Sequence, residues 1–307
     1  TGNMGVKILF CRRRCQHKRG SLQIAFVIRK TAHRQYAQFN KTGIQIFLSE
    51  PEQAVRALPA VLRHDPSLID INCGCPVPKV VKTGAGSALM RSPSTIHRIV
   101  AALTSRTDVP VTVKIRSGWD AGSLNYLEAG RAAAEAGASA LGFHARTRAK
   151  GYSGTADWSL IADLAASLQV PVIGSGDLFS PIAVRDMLAQ TGCAGLMCAR
   201  TASGNPFIFS ESRPLLCGFP AGAAPDEEAS TTAKGERSAR LRIETALQHF
   251  GRAIHYRGER IAVKEMKKHL AAYTKGLPGG SSLRDSLMRC GSEECYRSVF
   301  GDYLLSS

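Results

Sequence analysis

Long apolar runs, a leader-like segment and regularly spaced cysteines are all missing from this chain of 307 residues. Its apolar runs, such as the one at 22–28, are far too short to span a bilayer, so we expect no membrane segment. The basic N-terminal region has no apolar segment followed by a small-residue cleavage site, and we expect no secretory signal. The nine cysteines follow neither a disulfide framework nor zinc-ligand spacing, which favours a cytoplasmic protein without a metal site.

Acidic residues are absent from the first 49 positions, which carry ten lysines and arginines. Residues 50–231 hold sixteen side chains of each sign, and residues 232–307 hold fourteen basic and eight acidic ones. The net charge of +16 therefore lies entirely at the two ends of the sequence. The positive charge of either end alone could be explained by lysines and arginines on a solvent-exposed surface. Two basic ends favour contact with a polyanion, because phosphate neutralisation dominates the affinity of proteins for nucleic acids.

The middle of the chain alternates apolar, strand-like runs with amphipathic helical stretches at the period of βα units. This pattern predicts an α/β protein with a parallel sheet, closed as a (β/α)8 TIM barrel. Six strands are predicted at 44–48, 68–72, 109–116, 140–144, 170–174 and 194–198. Helices are predicted between them, for example at 51–62, 93–103, 124–136, 158–168 and 181–188. Residues 6–10 and 22–28 would supply the first two strands.

Beyond the barrel the character of the sequence changes twice. A stretch rich in Gly, Ala, Pro and Ser at 217–238 has no periodicity and is typical of a linker. Residues 239–307 then show apolar positions at helical spacing, with a clear break at 276–280. We therefore expect a barrel domain at 1–216, a linker at 217–238 and an all-helical bundle domain at 239–307.

The most informative motif is the Asn-x-Gly-Cys-Pro sequence at 72–76, which directly follows a predicted strand. Its glycine and proline force a sharp turn, and strand exits are where α/β barrels place their catalytic groups. The turn predicts that Cys75 displays a reactive thiol. Cys73, Cys193 and Cys198 are interpreted as small buried side chains, which is the usual role of a cysteine outside a disulfide.

Polar residues also stand at the ends of the next two predicted strands. Lys114 shares one strand face with Thr112 and Arg116, and that face would point into the barrel. The sequence leaves two alternative partners for the Lys114 ammonium, namely a carboxylate inside the barrel or the electron-rich edge of a reduced flavin. His144 ends the following strand, before a basic and aromatic loop that would suit RNA phosphates and bases; a purely structural histidine is the alternative.

Glycine turns follow the last two predicted strands, at 175–177 and, beyond Arg200, at 204–206. Loops in these positions of α/β barrels commonly bind phosphate through backbone N–H groups. Arg200 would add a charge-assisted donor. Two such turns in consecutive units favour FMN as the ligand.

Several separated motifs together give the chain a specific resemblance to the tRNA-dihydrouridine synthases, flavoenzymes that reduce a uracil ring within tRNA. The resemblance covers residues 43–209 and extends more loosely to 280. It is carried by segments at 44–47, 72–90, 113–119, 144–148, 151–154, 175–177 and 204–206. The run at 267–276 is similar to that of the bacterial DusB-type branch. The resemblance implies a flavin-bearing barrel followed by a helical tRNA-binding domain.

The resemblance also implies a reaction and a set of site residues. NADPH would reduce FMN, flavin N5 would deliver hydride to C6 of a uridine in tRNA, and Cys75 would protonate C5 from the opposite face. The implied flavin contacts are Gln45, Lys114, His144, Ser175, Gly176, Asp177, Ala199 and Arg200. The implied substrate contacts are Asn72, Arg146 and Arg148. No obligate protein partner is expected.

The chain departs from the family pattern mainly at its N-terminus, where residues 1–43 contain no strand that ends in Pro-Met-Ala. In addition, Ser175 stands where asparagine is usual, Ala199 where glycine is usual, and Leu48-Ser49 where Phe-Gly is usual. Two other functions stay open beside the synthase. One is a flavin reductase that acts on a free pyrimidine, and the other is a tRNA-binding protein with impaired catalysis.

Overall fold

Eight strands form a closed barrel in chain order. The computed structural model describes residues 7–11, 25–26, 43–217 and 239–306. The strands are β1 Lys7–Cys11, β2 Ala25–Phe26, β3 Gly43–Ile46, β4 Leu68–Asn72, β5 Val111–Arg116, β6 Ala140–His144, β7 Val172–Ser175 and β8 Gly195–Cys198.

Helices follow most of the strands and then continue alone. Those of the first part are α1 Pro51–Leu62, α2 Pro78–Val81, α3 Pro93–Thr104, α4 Tyr126–Glu135, α5 Trp158–Ser167, α6 Pro181–Thr191 and α7 Ile208–Cys217, with a 3₁₀ helix at Gly86–Arg91. Those of the last part are α8 Ala239–Arg257, α9 Glu259–Tyr273, α10 Gly280–Arg289 and α11 Glu293–Ser306. The predicted fold class, an α/β TIM barrel followed by helices, is confirmed.

The direction of the first strand differs from that of an all-parallel barrel. Strands β2 to β8 pair in parallel, but β1 runs antiparallel to both β2 and β8. Parallel neighbours need a long crossover, usually a helix that packs on the sheet. The thirteen residues between β1 and β2 include five lysines and arginines, and their sequence lacks the apolar stripe of such a helix.

Alternation along the strands separates the barrel interior from the layer beneath the helices. Leu68, Ile173 and Met197 belong to one buried cluster, although they lie on β4, β7 and β8. Side chains of strands this far apart meet across the barrel interior, so Leu68 points inward, and Asp70 and Asn72 share its face. The interior is therefore apolar at its base and polar toward the carboxyl ends of the strands.

Prolines explain why two of the strands, β5 and β7, begin two residues later than predicted. β5 begins at Val111 rather than at position 109, and β7 begins at Val172 rather than at position 170. Each start directly follows a proline, Pro110 or Pro171, which has no N–H to donate to the sheet. Both prolines still accept a hydrogen bond through their carbonyl oxygen, from Ile69 N and Leu141 N respectively, each at 2.9 Å.

The four C-terminal helices pack around an apolar core. Phe250, Tyr296 and Phe300 are fully buried, and the ring centroids of Phe250 and Tyr296 lie 5.0 Å apart. The other buried members are Ile243, Ala246, Ala262, Val263, Met266, Leu270, Tyr273, Leu283, Leu287 and Cys290. Cys290 forms a disulfide with Cys295 between the end of α10 and the start of α11. The cysteine spacing in the sequence does not predict this bond.

The described residues divide into two compact units. One contains the barrel residues up to Ala199 together with 212–217, and the other contains 200–211 together with the C-terminal helices. Helix α7 ends at Cys217, the position at which the linker is predicted to begin; the rest of that linker, 218–238, lies outside the described residues. No helix in the described ranges is long and apolar enough to cross a membrane.

Candidate functional site

The turn that carries Cys75 is held on both sides by hydrogen bonds. The Asn72 side-chain oxygen accepts from the backbone N–H of Gly74 at 3.1 Å and of Cys75 at 2.8 Å. The Cys75 carbonyl accepts from Ser87 N at 3.0 Å. Gly86 has a φ of +64°, and a Cβ atom there would lie only 2.8 Å from the Cys75 carbonyl oxygen. Only glycine therefore lets the 3₁₀ segment approach the turn this closely.

The two cysteines at the end of β4 have opposite surroundings. Cys73 is completely buried and donates its backbone N–H to the Lys114 carbonyl at 2.8 Å. Burial, and secondarily the charge of Asp70, raises the pKa of the Cys73 thiol far above its ordinary value. Cys75, two residues further, is half-buried. Of this pair, Cys75 is the thiol that a ligand in the barrel mouth could reach.

The other predicted packing cysteines are buried as expected. Cys193 and Cys198 are 4% and 0% exposed. Burial raises the pKa of Cys198 to about 12, and it also raises the pKa of Cys193. Neither thiol has the setting of a reactive group.

Arg116 ties the Cys75 turn to the loop after β6. Its Nε donates to the Gly74 carbonyl at 2.7 Å, and its Nη1 donates to the carbonyls of Thr147 at 3.0 Å and Gly151 at 2.8 Å. Burial lowers the pKa of Arg116, a shift that neighbouring Tyr152 and Cys75 oppose. Arg116 was not predicted as a site residue. The signal that could have identified it is its place on the same inward strand face as Lys114.

Four polar side chains on β3, β4 and β5 form a hydrogen-bonded series inside the barrel. The Asn72 amide donates to Gln45 Oε1 at 2.8 Å, and the Gln45 amide donates to the Asp70 carboxylate. Thr112 Oγ1 donates to the other Asp70 oxygen at 2.6 Å. Gln45 and Asn72 are thus brought together as predicted site residues, whereas Asp70 and Thr112 were not identified from the sequence.

Lys114 lies in the same interior. It is 7% exposed and pairs in register with Asn72 on one side and with Gly142 on the other. A Cβ atom at Gly142 would lie 2.5 Å from Lys114 Cδ, so the missing side chain at position 142 makes room for the lysine stem. Lys114 Nζ donates to the Ile115 carbonyl at 3.4 Å.

His144 and the turn after β7 meet at the next part of the barrel rim. His144 Nδ1 lies 3.3 Å from Ser175 Oγ. Gly176 has a φ of +131°, and a Cβ atom there would lie 2.6 Å from Ala156 Cβ. Asp177 has a φ of +58°, which is unusual for a residue other than glycine. The structure therefore brings His144 and Ser175–Asp177 together.

Arg146 and Asp177 form a buried ion pair. Arg146 Nη2 lies 2.7 Å from Asp177 Oδ2, and the exposed fractions of the two side chains are 1% and 20%. Arg146 also donates to the carbonyls of Ser153 and Gly154, and Ala156 N donates to Asp177 at 2.7 Å. These contacts fasten the loop after β6 to the turn after β7. The predicted roles of Arg146 with substrate and of Asp177 with cofactor stay predictions.

The remaining predicted site residues lie elsewhere. Arg148 stacks on Trp119, with its Cζ 4.5 Å from the ring centroid, and Arg91 Cζ lies 3.4 Å from that centroid. Ala199 and Arg200 follow β8, and both are exposed. The boundary between the two units falls between them, with Ala199 in the barrel unit and Arg200 in the helical unit. In the described ranges, no three His, Cys, Asp or Glu side chains are grouped as metal ligands.

The glycine of the 204–206 motif has a packing role within the helical unit. Gly204 has a φ of +90°, and a Cβ atom there would lie 2.5 Å from the Ala272 backbone. The motif therefore rests directly on helix α9, a contact that explains its glycine without a phosphate group.

Comparison with known proteins connects this site to a family. A family model described as "Dihydrouridine synthase (Dus)" matches residues 22–298. The "Probable tRNA-dihydrouridine synthase" of Treponema pallidum is 41% identical over 276 residues, covering 85% of this chain and 76% of that protein. The "Probable tRNA-dihydrouridine synthase 1" of Synechocystis sp. is 38% identical, with coverage of 82% and 68%. The "tRNA-dihydrouridine synthase B" of Xanthomonas campestris is 35% identical, with coverage of 90% and 80%. The chain is therefore an oxidoreductase that belongs to the dihydrouridine synthase family.

Proposed function

We propose that this protein is a tRNA-dihydrouridine synthase that uses FMN and NADPH to reduce the C5=C6 bond of a uridine in tRNA. The names of its relatives support the reaction class. The observation that carries the proposal is the half-buried Cys75, on a turn fixed by Asn72 and Ser87 beside a polar barrel interior. A thiol in this position can act as a general acid next to a bound planar ring.

The donor set inside the barrel fits a flavin. Gln45, Lys114 and His144 bring an amide, an ammonium and an imidazole to one end of the interior. A flavin ring edge presents alternating acceptors and donors, and it becomes electron-rich on reduction, which suits the ammonium. We assign Gln45, Lys114, His144, Ser175, Gly176, Asp177, Ala199 and Arg200 to FMN, and Asn72, Arg146 and Arg148 to the substrate side.

The reaction requires one hydride and one proton. The residues assigned above would hold FMN, which would supply the hydride for C6 of the uracil ring, with NADPH as the source of its electrons. Cys75 supplies the proton to C5, so that the thiol hydrogen leaves the sulfur as the new C–H bond forms. Arg116 and Asn72 hold the peptide that precedes this sulfur, and Ser87 holds the Cys75 carbonyl that follows it, which keeps the acid in place during the transfer.

Folded tRNA would be bound by the basic residues of the two ends of the sequence. The bundle exposes Arg252, Lys264 and Lys268 on α8 and α9, and the N-terminal 49 residues carry only basic charge. We assign residues 1–216 to catalysis, 217–238 to a linker and 239–307 to tRNA binding. We also place the protein in the cytoplasm, and the proposal requires no protein partner.

The Cys75→Ala variant tests this function against Cys73→Ala as its matched control. Removal of a general acid typically lowers a rate by about 10²- to 10⁴-fold. We expect Cys75→Ala to lose dihydrouridine formation to this extent while it keeps its flavin absorbance and its tRNA affinity. Cys73→Ala changes a thiol that is completely buried, and we expect it to remain active. The assay is mass spectrometry of nucleosides from tRNA that initially lacks dihydrouridine.

Three outcomes would overturn the proposal. Full activity of Cys75→Ala would remove the thiol from the mechanism. Reduction of free uracil or orotate without tRNA would indicate a small-molecule reductase. Salt-sensitive binding of tRNA by a colourless wild-type protein would indicate a binding function without catalysis.

A further inference from the structure

The hydrogen bonds from Asp70 to the Cys75 turn have a fixed polarity. The backbone N–H groups of Gly74 and Cys75 can only donate, so the Asn72 oxygen must face them. The Asn72 amino group must then face Gln45 Oε1, and the Gln45 amino group must face position 70. At that position stands a carboxylate that can only accept. Each donor therefore meets an acceptor along the whole series.

The acceptor at the far end is itself held in place. Asp70 is 3% exposed, and its other oxygen accepts from Thr112 Oγ1 at 2.6 Å. Both amides can rotate by half a turn with little change in shape, so only their hydrogen-bond partners determine which end carries the oxygen. Asp70 supplies the partner from one side, and the Cys75 turn supplies it from the other.

We propose that Asp70 is a positioning residue for the reaction, which holds the Cys75 turn through the amides of Gln45 and Asn72. This inference rests on the proposed function only in so far as Cys75 is the acid. Without an acceptor at position 70, the Gln45 amide loses the contact that sets its orientation. Asn72 then loses the oriented Gln45 oxygen that accepts from its amino group, so its own oxygen holds the backbone of the acid less firmly.

Two substitutions of nearly the same shape separate polarity from charge. Asp70→Asn removes the charge but keeps one oxygen, which can face Gln45 while its amino group donates to the Thr112 hydroxyl. Asp70→Leu keeps the branched shape and removes every acceptor. The proposal therefore predicts that the asparagine variant behaves like the wild type and that the leucine variant does not.

Hydrogen exchange in the peptide that covers positions 73–76 measures the effect directly in the full-length protein. We expect exchange at Gly74 and Cys75 to rise at least about tenfold in Asp70→Leu, since the series that supports the turn loses a buried hydrogen bond. In Asp70→Asn we expect a change of less than about threefold. The alkylation rate of Cys75 with iodoacetamide, read on the same peptide, should follow the same order.

A second variant keeps the test decisive if Asp70→Leu fails to fold. Gln45 is less buried than Asp70, so Gln45→Met is a milder change that removes the acceptor for Asn72 from the middle of the series. It should raise exchange at the Cys75 turn as Asp70→Leu does. Wild-type exchange in Gln45→Met, or equal exchange in Asp70→Asn and Asp70→Leu, would overturn the proposal.

The exchange experiment needs no turnover and is therefore independent of the proposed function. If the wild type forms no dihydrouridine, the synthase proposal fails while the exchange result still decides the role of Asp70. If the wild type is active, kcat should fall at least about tenfold in Asp70→Leu and less than about threefold in Asp70→Asn. Equal kcat values in these two variants would restrict Asp70 to a structural role.

Discussion

The two compact units of this protein bury different kinds of side chain. The barrel unit buries Asp70, Lys114, Arg116 and Arg146, each with an exposed fraction below 10%. In the described part of the helical unit, the buried polar side chain is that of Thr274, and the core is otherwise apolar. Buried charges must be paired and hydrogen-bonded to be tolerated, whereas an apolar core stabilises without such constraints. The barrel interior therefore contains charged groups that need specific partners, whereas the bundle has an apolar core and carries its charges on the surface.

The largest expected loss of stability comes from breaking the buried ion pair of the barrel. Arg146→Met should lower the free energy of unfolding by about 3–5 kcal/mol, since it leaves the Asp177 carboxylate without its guanidinium partner. Urea denaturation can be followed by the fluorescence of Trp119 and Trp158, the two tryptophans of the chain, which both lie in the barrel unit. Adding Asp177→Asn should cost less than the sum of the two single changes, because it removes the carboxylate charge that the guanidinium had balanced. A loss below about 1 kcal/mol in Arg146→Met would contradict the distinction drawn between the units.

Much of the fold can be read from the sequence, because its elements are specified locally. The helix predicted after Ser180 begins at Pro181, and the Ser180 hydroxyl accepts from Ala183 N at 3.1 Å, as an N-cap should. The helices at 239–257 and 259–273 follow apolar periodicity within each segment. The direction of β1 was missed, because it depends on pairing with β8, at the other end of the barrel sequence.

The candidate site was only partly predictable for the same reason. Cys75 could be identified because its glycine and proline neighbours are adjacent in sequence. Asp70 is 42 residues from Thr112, and Gly74 is 42 residues from Arg116. Such contacts depend on strand register, which one sequence does not contain. The roles of Asp70 and Arg116 therefore became visible only once β4 and β5 were paired.

A smaller effect is expected from acidification of the helical unit. His249 Nδ1 lies 3.3 Å from the Tyr273 hydroxyl, and its ring centroid lies 5.7 Å from that of His269. Burial, together with His269 and Arg252, lowers the pKa of His249 to about 4. A histidine in an unfolded chain titrates near 6.5, so between about pH 6.5 and 4 the unfolded state binds more protons than the folded state. The stability of the bundle should therefore fall as the pH drops through this window, by about 1–3 kcal/mol.

His249→Gln should remove most of this pH dependence, because glutamine does not titrate. Hydrogen exchange of α8 and α9 peptides in the full-length protein at pH 7 and pH 5 measures it, with variant and wild type compared at the same pH. His269, whose pKa is lowered by burial and by Lys268, would leave a residual slope. Identical pH dependence in variant and wild type would show that His249 binds protons equally well in the folded and the unfolded state.

The smallest effect is expected from an exposed ion pair of the bundle. Arg297 Nη2 lies 2.6 Å from Glu293 Oε1 one helical turn earlier, and the side chains are 54% and 31% exposed. Exposed pairs at this spacing contribute about 0.3–0.5 kcal/mol and weaken with salt, because water and ions screen both charges. Arg297→Gln should therefore raise hydrogen exchange in α11 by less than about threefold in low salt, and by less again in 1 M NaCl. A loss as large as that of Arg146→Met would mean that burial does not decide the strength of these pairs. The contrast between a charged barrel interior and a charged bundle surface would then have no energetic basis.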